Sequence, residues 1–99
     1  MKVVKTTIDL IASKIIREQE RIIGPLAWME ARKVPGLNVV DSVRGEVAIG
    51  DDDPKEVVDH LVGRYERLFG RASHEVCIDA ARGIVAELPK AEVPSSLLS

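Results

Sequence analysis

The sequence predicts a mostly helical α+β protein in which two helix–Gly–helix pseudo-repeats are separated by a β-hairpin. The first observation is a short phrase that occurs twice, 46 positions apart, beginning at Glu20 and again at Glu66. Apolar residues recur at helical spacing on both sides of the glycine in each copy. The only segment with strand-like alternation, residues 37–49, lies between the copies. Such a repeat indicates architecture rather than chemistry.

Length and composition indicate a single folded domain. The chain has 99 residues, of which 45% are hydrophobic and 30% are charged, and these values are typical of a globular domain. We expect residues 1–89 to form this domain. Residues 90–99 contain two prolines and no periodicity, so we expect an extended or mobile tail. Aromatic residues are few, which predicts an aliphatic core and little surface on which nucleic-acid bases could stack.

Charge and cysteine content restrict the class of protein. The net charge of −2 argues against strong non-specific attraction to DNA or to anionic membranes. The single cysteine, Cys77, excludes an intramolecular disulfide and a cysteine-rich zinc site, and it favours a reducing compartment. The N-terminal apolar run is interrupted by Asp9, Ser13 and Lys14, so no signal-peptide core or membrane span is predicted. We therefore expect a cytoplasmic protein.

The first unit is predicted to be a long helix followed by a short one. Thr7 can cap the first helix, and the apolar positions that follow have the spacing of one helix face: Ile8, Ile11, Ala12, Ile15, Ile16, Ile22 and Ile23. Gly24 and Pro25 interrupt this pattern because a proline inside a helix removes a hydrogen bond. A second, short helix is expected to run as far as Val34, ahead of Pro35.

A β-hairpin is predicted between the two units. Apolar residues alternate at Leu37, Val39 and Val43 and then at Val47 and Ile49, with a turn near Arg44-Gly45. Two strands alone are marginally stable in water and expose their edges. We therefore expect the hairpin to pack on a helix, and it is a candidate for pairing with a second copy across a dimer axis.

The second unit is predicted to contain two longer helices. Asp53 can cap the first, with Pro54 in the first position and Glu56 closing a capping box. Its apolar face comprises Val57, Val58, Leu61, Val62, Tyr65, Leu68 and Phe69. After Gly70, a further amphipathic helix ends before Pro89, and its apolar face comprises Val76, Cys77, Ala80, Ala81, Ile84, Val85 and Leu88.

Three consecutive carboxylates, Asp51, Asp52 and Asp53, are the densest acidic cluster in the chain. They could hold a hard cation such as Mg²⁺ or Ca²⁺. Negative charge ahead of a helix is, however, stabilised by the helix dipole, and no EF-hand spacing follows. The interpretation as a helix start is favoured, and we predict no metal site.

His60, His74 and Cys77 are the candidate catalytic side chains. Neither histidine lies in a zinc-binding pattern. Cys77 follows His74 by about one helical turn, which is compatible with an activated nucleophile, but its apolar neighbours favour a buried small residue. The chain has no Ser–His–Asp order, phosphate-binding glycine loop or dinucleotide fingerprint. We therefore predict neither catalytic residues nor a cofactor.

The segment His60-Leu61-Val62-Gly63, with Leu68 and Gly70 after it, resembles the region around the phosphorylated histidine of bacterial histidine phosphotransfer domains. The match covers about a dozen residues. Val62 stands where that family usually has a lysine, the glycine falls one position early, and the family's bundle has no such hairpin. The resemblance implies phosphotransfer through His60, which is the third of our functional hypotheses.

The most prominent polar feature is a set of four residues that we name the basic stripe: His60, Arg64, Arg67 and Arg71. Their spacing of four, three and four predicts one line along the third helix. Arginine forks bind phosphate and carboxylate equally well. A smaller counterpart in the first unit comprises Lys14, Arg17 and Arg21. The alternative is a solvated face whose charges are balanced by Glu18, Asp59 and Glu66.

We rank two functional hypotheses ahead of phosphotransfer, and they assign the chain to different classes of protein. The preferred one is a small non-enzymatic protein-interaction or regulatory module that acts as a homo-oligomer, with the basic stripe as its anion- or partner-binding surface. The alternative is a nucleic-acid-binding regulator in which residues 54–88 form a helix-turn-helix. In that case Arg64, Arg67, Arg71 and Arg82 would contact phosphates.

Overall fold

The computed structural model describes residues 7–50 and 53–98. Four α-helices are present there: α1 (Thr7–Ile23), α2 (Leu26–Ala31), α3 (Pro54–Phe69) and α4 (Arg71–Val85). Strands β1 (Leu37–Asp41) and β2 (Glu46–Ile49) form an antiparallel hairpin between α2 and α3. The predicted α+β class, mostly helical with a central hairpin, is confirmed.

Both copies of the repeated phrase end a helix in the same way. Gly24 and Gly70 have positive φ angles, 69° and 91°, which residues with a Cβ rarely adopt. Each glycine N–H donates to the carbonyl four residues earlier, that of Glu20 or Glu66, at 2.8 Å. The glycines thus separate α1 from α2 and α3 from α4. That the two halves are related as repeats stays a prediction.

Two helices end earlier than the apolar pattern predicts. Helix α2 ends at Ala31 rather than Val34, and α4 ends at Val85 rather than Leu88. In both places the chain continues through i→i−3 hydrogen bonds, as in Val34 N–H to the Ala31 carbonyl and Leu88 N–H to the Val85 carbonyl. A proline follows each segment, and the residue before proline disfavours helical backbone.

The hairpin contains one extra residue on β1. Val39 pairs with Val47, and Asp41 pairs with Glu46, so Val40 forms a β-bulge. Val43 lies in the turn and is 88% exposed, so its predicted place in the strand alternation is wrong. The Asp41 carboxylate accepts hydrogen bonds from two turn N–H groups, those of Val43 and Arg44, and thereby ends the strand.

Helix α1 supports the turn of the hairpin. The Ser13 hydroxyl donates to the carbonyl of Gly45, and the Arg17 guanidinium donates to the Arg44 carbonyl at 2.9 Å. Gly45 is buried with φ of 75°, and a Cβ at this position would collide with the Arg17 side chain. The hairpin therefore packs on a helix, as expected from the marginal stability of two isolated strands.

The core lies where α1, α3 and α4 meet, and α2 and the hairpin also contribute buried residues to it. Its fully buried large side chains are mostly aliphatic, and they include Ile11, Ile15, Ile16, Val58, Leu61 and Tyr65. Ala81 is completely buried and Ala80 nearly so. Small side chains at these positions allow α4 to approach its neighbours closely.

Residues 90–98 differ from the extended or mobile tail that the sequence predicts. They form two short 3₁₀ turns, Lys90–Glu92 and Ser95–Leu97. Val93, Pro94 and Leu97 are buried, and the second turn packs on α3 and α4. We name residues 90–98 the C-terminal segment. Its structure depends on contacts with distant residues, which local periodicity does not reveal.

The start of α3 agrees with its predicted cap. The Asp53 carboxylate accepts a hydrogen bond from the Lys55 N–H at 3.0 Å, and Pro54 occupies the first helical position. Asp51 and Asp52, which the cation hypothesis requires, lie outside the described residues. Thr7 is the first residue of α1 rather than its cap. Across residues 7–50 and 53–98, no helix has the length and apolar character needed to span a bilayer.

Candidate functional site

Three members of the basic stripe border one groove. Helix α3 turns Leu61 and Tyr65 into the core, so His60, Arg64 and Arg67 lie on its outer side. They line a groove of about 240 Å³ together with Lys33, Val34, Pro35, Asp59 and Gly63. The groove therefore combines α3 with the loop that follows α2. Lys33 had not been predicted at this site, because it comes from the first half of the chain.

Arg71 is separated from the rest of the stripe. The prediction that all four residues lie along one helix is wrong, because α3 ends at Phe69 and Arg71 is the first residue of α4. The left-handed backbone of Gly70 redirects the chain between them. Arg71 is not among the residues lining the groove. Its guanidinium instead lies 3.9 Å from the Glu75 carboxylate, and both side chains are exposed.

Arg64 is held by a carboxylate that the sequence had not assigned to it. Its Nε donates to Oε1 of Glu30 at 2.6 Å, and Nζ of Lys33 donates to Oε2 at 3.4 Å. The hydrogen bond from Arg64 holds the pKa of Glu30 below its usual value of 4.5, although burial acts in the opposite direction. Glu30 lies on α2, 34 positions before Arg64, so helical spacing within α3 could not reveal the pair.

The groove is less basic than the spacing of the stripe predicts. Glu30 offsets charge from Lys33 and Arg64, and Asp59 adds a second carboxylate to the lining. Arg67 forms no ion pair with any residue in the described parts of the chain, and His60 is exposed beside it. The groove thus offers one unpaired guanidinium and one imidazole, next to charges that are already paired.

The smaller basic set on α1 is dispersed over two surfaces. Arg17 binds the hairpin turn through the Arg44 carbonyl. Arg21 lies 3.7 Å from Glu18, and both line a groove of about 400 Å³ between α1 and α4, with Lys14 and Asp79 also at its edge. The contact of Arg17 is structural, Arg21 is paired with a carboxylate, and Lys14 borders a groove that also contains carboxylates.

Cys77 and His74 do not form a nucleophile–base pair. Nε2 of His74 donates to the Ser96 carbonyl at 2.7 Å, and its Nδ1 lies 3.2 Å from the Glu66 carboxylate. Cys77 is completely buried, and its Sγ accepts a hydrogen bond from the Gln19 amide at 3.4 Å. Burial raises the pKa of this thiol to about 11. The side chain is therefore a protonated core group at neutral pH.

Two buried polar groups lack partners within the described residues: Oε1 of Gln19 and Nε1 of Trp28. The Gln19 amide nitrogen donates to the Ser73 carbonyl at 2.8 Å, which links α1 to α4 inside the core. By contrast, the Tyr65 hydroxyl donates to the Ala27 carbonyl at 2.7 Å, and burial raises its pKa. None of these groups lines the groove of the basic stripe.

The hypotheses of nucleic-acid binding and of phosphotransfer stay predictions. Of the arginines assigned to phosphate contacts, Arg64 is bound to Glu30, Arg71 faces Glu75, and Arg82 is bound to Asp79. Among the described residues, no three side chains of His, Cys, Asp or Glu gather as metal ligands do. Comparisons of the chain with models of protein families, with curated proteins and with solved structures give no match.

Proposed function

We propose that the chain is a small non-catalytic interaction module that works as a homo-oligomer. The observation that carries the proposal is the exposure of valine on the hairpin. Val43 at the tip is 88% exposed, and Val40 on the bulge is 63% exposed, the two largest values among the exposed large hydrophobic side chains. Exposed apolar side chains that lie close together are typical of interaction sites, whereas scattered ones need no explanation.

The architecture of the hairpin adds to this proposal. In the described parts of the chain, β1 pairs only with β2, so its outer edge has no strand beside it. Helix α1 contacts β2 and holds the turn through Ser13 and Arg17. The valines are therefore presented on a hairpin whose turn is held by a helix, Val43 in the turn and Val40 on strand β1. A second copy that covered them would bury apolar surface that one chain leaves in water.

Sedimentation equilibrium at micromolar concentration tests the proposal. We expect the wild-type chain to sediment as a dimer or a larger oligomer, and a Val40→Lys/Val43→Lys variant to shift towards monomer because lysine at the interface must be desolvated. Leu68→Lys is the matched control, since Leu68 is also exposed but lies at the end of α3. A wild-type chain that sediments as a stable monomer would overturn the proposal.

A further inference from the structure

The C-terminal segment occupies a groove between α3 and α4 in the manner of a bound peptide. Val93, Pro94 and Leu97 are its buried anchors. The side chains around it come from the two helices, and they contact backbone atoms and serine hydroxyls of the segment. Such a division between apolar anchors and polar contacts to the main chain is characteristic of peptide recognition.

Asp59 provides the densest of these contacts. Its Oδ1 accepts hydrogen bonds from the Ser96 hydroxyl at 2.6 Å and from the Ser96 N–H at 2.9 Å. Its Oδ2 accepts from the Ser95 hydroxyl at 2.9 Å. One carboxylate on α3 therefore binds two successive residues of the segment and fixes their register.

Two further side chains hold the segment at either side of Asp59. Lys55 donates from Nζ to the Ala91 carbonyl at 2.8 Å, and His74 on α4 donates to the Ser96 carbonyl at 2.7 Å. Both bonds go to main-chain carbonyls. The site therefore recognises a backbone shape together with the pattern Val-Pro-Ser-Ser-Leu, and the same pattern is present on every copy of the chain.

The link between α4 and the segment can act as a hinge. The apolar spacing of α4 continues to Leu88, yet the helix ends at Val85. Glu87 and Leu88 instead follow tighter i→i−3 hydrogen bonds, to the carbonyls of Ile84 and Val85. Hinges commonly lie at such ends of elements. When extended, the four residues 86–89 that join α4 to the segment span at most about 14 Å, so an exchanged segment enters a copy packed directly beside the chain.

We propose that the groove between α3 and α4 exchanges its occupant, so that the C-terminal segment of a second copy binds where the chain's own segment lies. The inference rests on the proposed homo-oligomeric function and names one of its contacts. Exchange preserves every contact of the segment and replaces only the connection. The short link gives the chain's own segment a high effective concentration at its own groove, which opposes exchange of a single segment. When two copies swap segments reciprocally, both grooves stay filled, and we therefore expect the two segments to exchange together.

Disulfide trapping tests this exchange in the full chain. One chain carries Asp59→Cys and the other Ser96→Cys, both in a Cys77→Ala background, and they are mixed in a glutathione redox buffer. Since the two side chains are in hydrogen-bond contact in the wild type, we expect a mixed disulfide dimer in clear excess over the two homodimers. In the control pair, Arg32→Cys replaces Asp59→Cys. Arg32 is exposed and is the C-cap residue of α2, so it is not part of the groove that holds the segment.

Substitutions in the segment sharpen the test. We expect Leu97→Asp, added to the Ser96→Cys chain, to remove the excess of mixed disulfide dimer because it destroys a buried anchor. Leu98→Asp in the same chain is expected to leave that excess unchanged, because Leu98 is 43% exposed. Circular dichroism of each variant checks folding. For a background that folds poorly, native mass spectrometry of Leu97→Asp chains mixed with Asp59→Arg chains replaces trapping, and the mixed dimer is expected in excess over both homodimers.

The outcomes separate this inference from the proposed function. A mixed dimer in excess, lost with Leu97→Asp, supports exchange. A wild-type oligomer in sedimentation, combined with no more mixed dimer than the Arg32→Cys control gives, overturns exchange and leaves the hairpin interface standing. A wild-type monomer overturns the homo-oligomeric function itself.

Discussion

The guanidinium of Arg64 on α3 donates a 2.6 Å hydrogen bond to the carboxylate of Glu30 on α2. The two side chains are 31% and 10% exposed, so the pair lies at the boundary between core and solvent. It fixes the short helix α2 against the long helix α3. The shortest ion pair at the border of the groove therefore stabilises the fold, and it also removes Arg64 from the charges that a ligand would meet.

The first prediction concerns the pH dependence of this pair. The lowered pKa of Glu30 means that the folded state favours the carboxylate. The contribution is thus present above the usual pKa of 4.5 and is lost as the pH falls through the lower value in the folded state. We expect Glu30→Gln to lower the urea midpoint at neutral pH, and the gap from wild type to narrow in acid.

Glu87→Gln is the matched control, because Glu87 is exposed and lies in the turn after α4. Its urea midpoint is expected to follow the wild-type value at every pH. A gap between Glu30→Gln and wild type that stays constant from neutral pH to about pH 3 would show that ionisation of Glu30 contributes nothing to stability.

The second prediction concerns the thiol of Cys77. Its pKa is raised from 9.0 to about 11, which at about pH 8 lowers the reactive thiolate fraction roughly 100-fold. Complete burial further restricts access by a reagent. We expect Ellman's reagent to modify the native chain at least about 100-fold more slowly than the chain unfolded in urea.

A Cys77→Ala/Ala86→Cys variant provides the control, since Ala86 is exposed. Its thiol is expected to react at nearly the same rate in the native and unfolded chains. Native Cys77 that reacted as rapidly as this control would contradict the buried, protonated state and would reopen the interpretation of Cys77 as a nucleophile.

The helices and hairpin could be predicted because their signals are local. The cap at Asp53, the glycines at 24 and 70 and the apolar spacing of α3 lie within a few residues of the structure that they determine. Helix ends proved less predictable. The last turns of α2 and α4 tighten ahead of Pro35 and Pro89, and apolar periodicity alone does not distinguish a tight turn from one more helical turn.

The candidate site was predicted only in part, because its contacts join distant segments. His60, Arg64 and Arg67 do lie together, but the partner of Arg64 is on another helix. The partners of Asp59 are also distant in sequence. Asp59 was expected to balance arginine charges, and it instead accepts hydrogen bonds from Ser95 and Ser96 in the C-terminal segment. One carboxylate can pair with a cation or accept from hydroxyls equally well, and only the tertiary fold decides between them.

The third prediction compares two glycines of the second half. Gly63 lies inside α3, its φ is not positive, and an added Cβ would meet nothing within 4 Å. Alanine there gains helix propensity, so we expect Gly63→Ala to stabilise the chain by about 1 kcal/mol. Gly70 also has open space around it, but its φ is 91°. We expect Gly70→Ala to destabilise the chain by about 1–2 kcal/mol because a Cβ strains this backbone.

Thermal unfolding followed by circular dichroism measures both changes. In a chain of this size, 1 kcal/mol corresponds to a shift of about 4–8 °C in Tm, so the two variants should move in opposite directions from the wild type. Because neither added methyl group meets a neighbour, the difference between them reports backbone conformation alone. Equal shifts of the same sign would contradict the assignment of Gly70 as the obligatory break between α3 and α4.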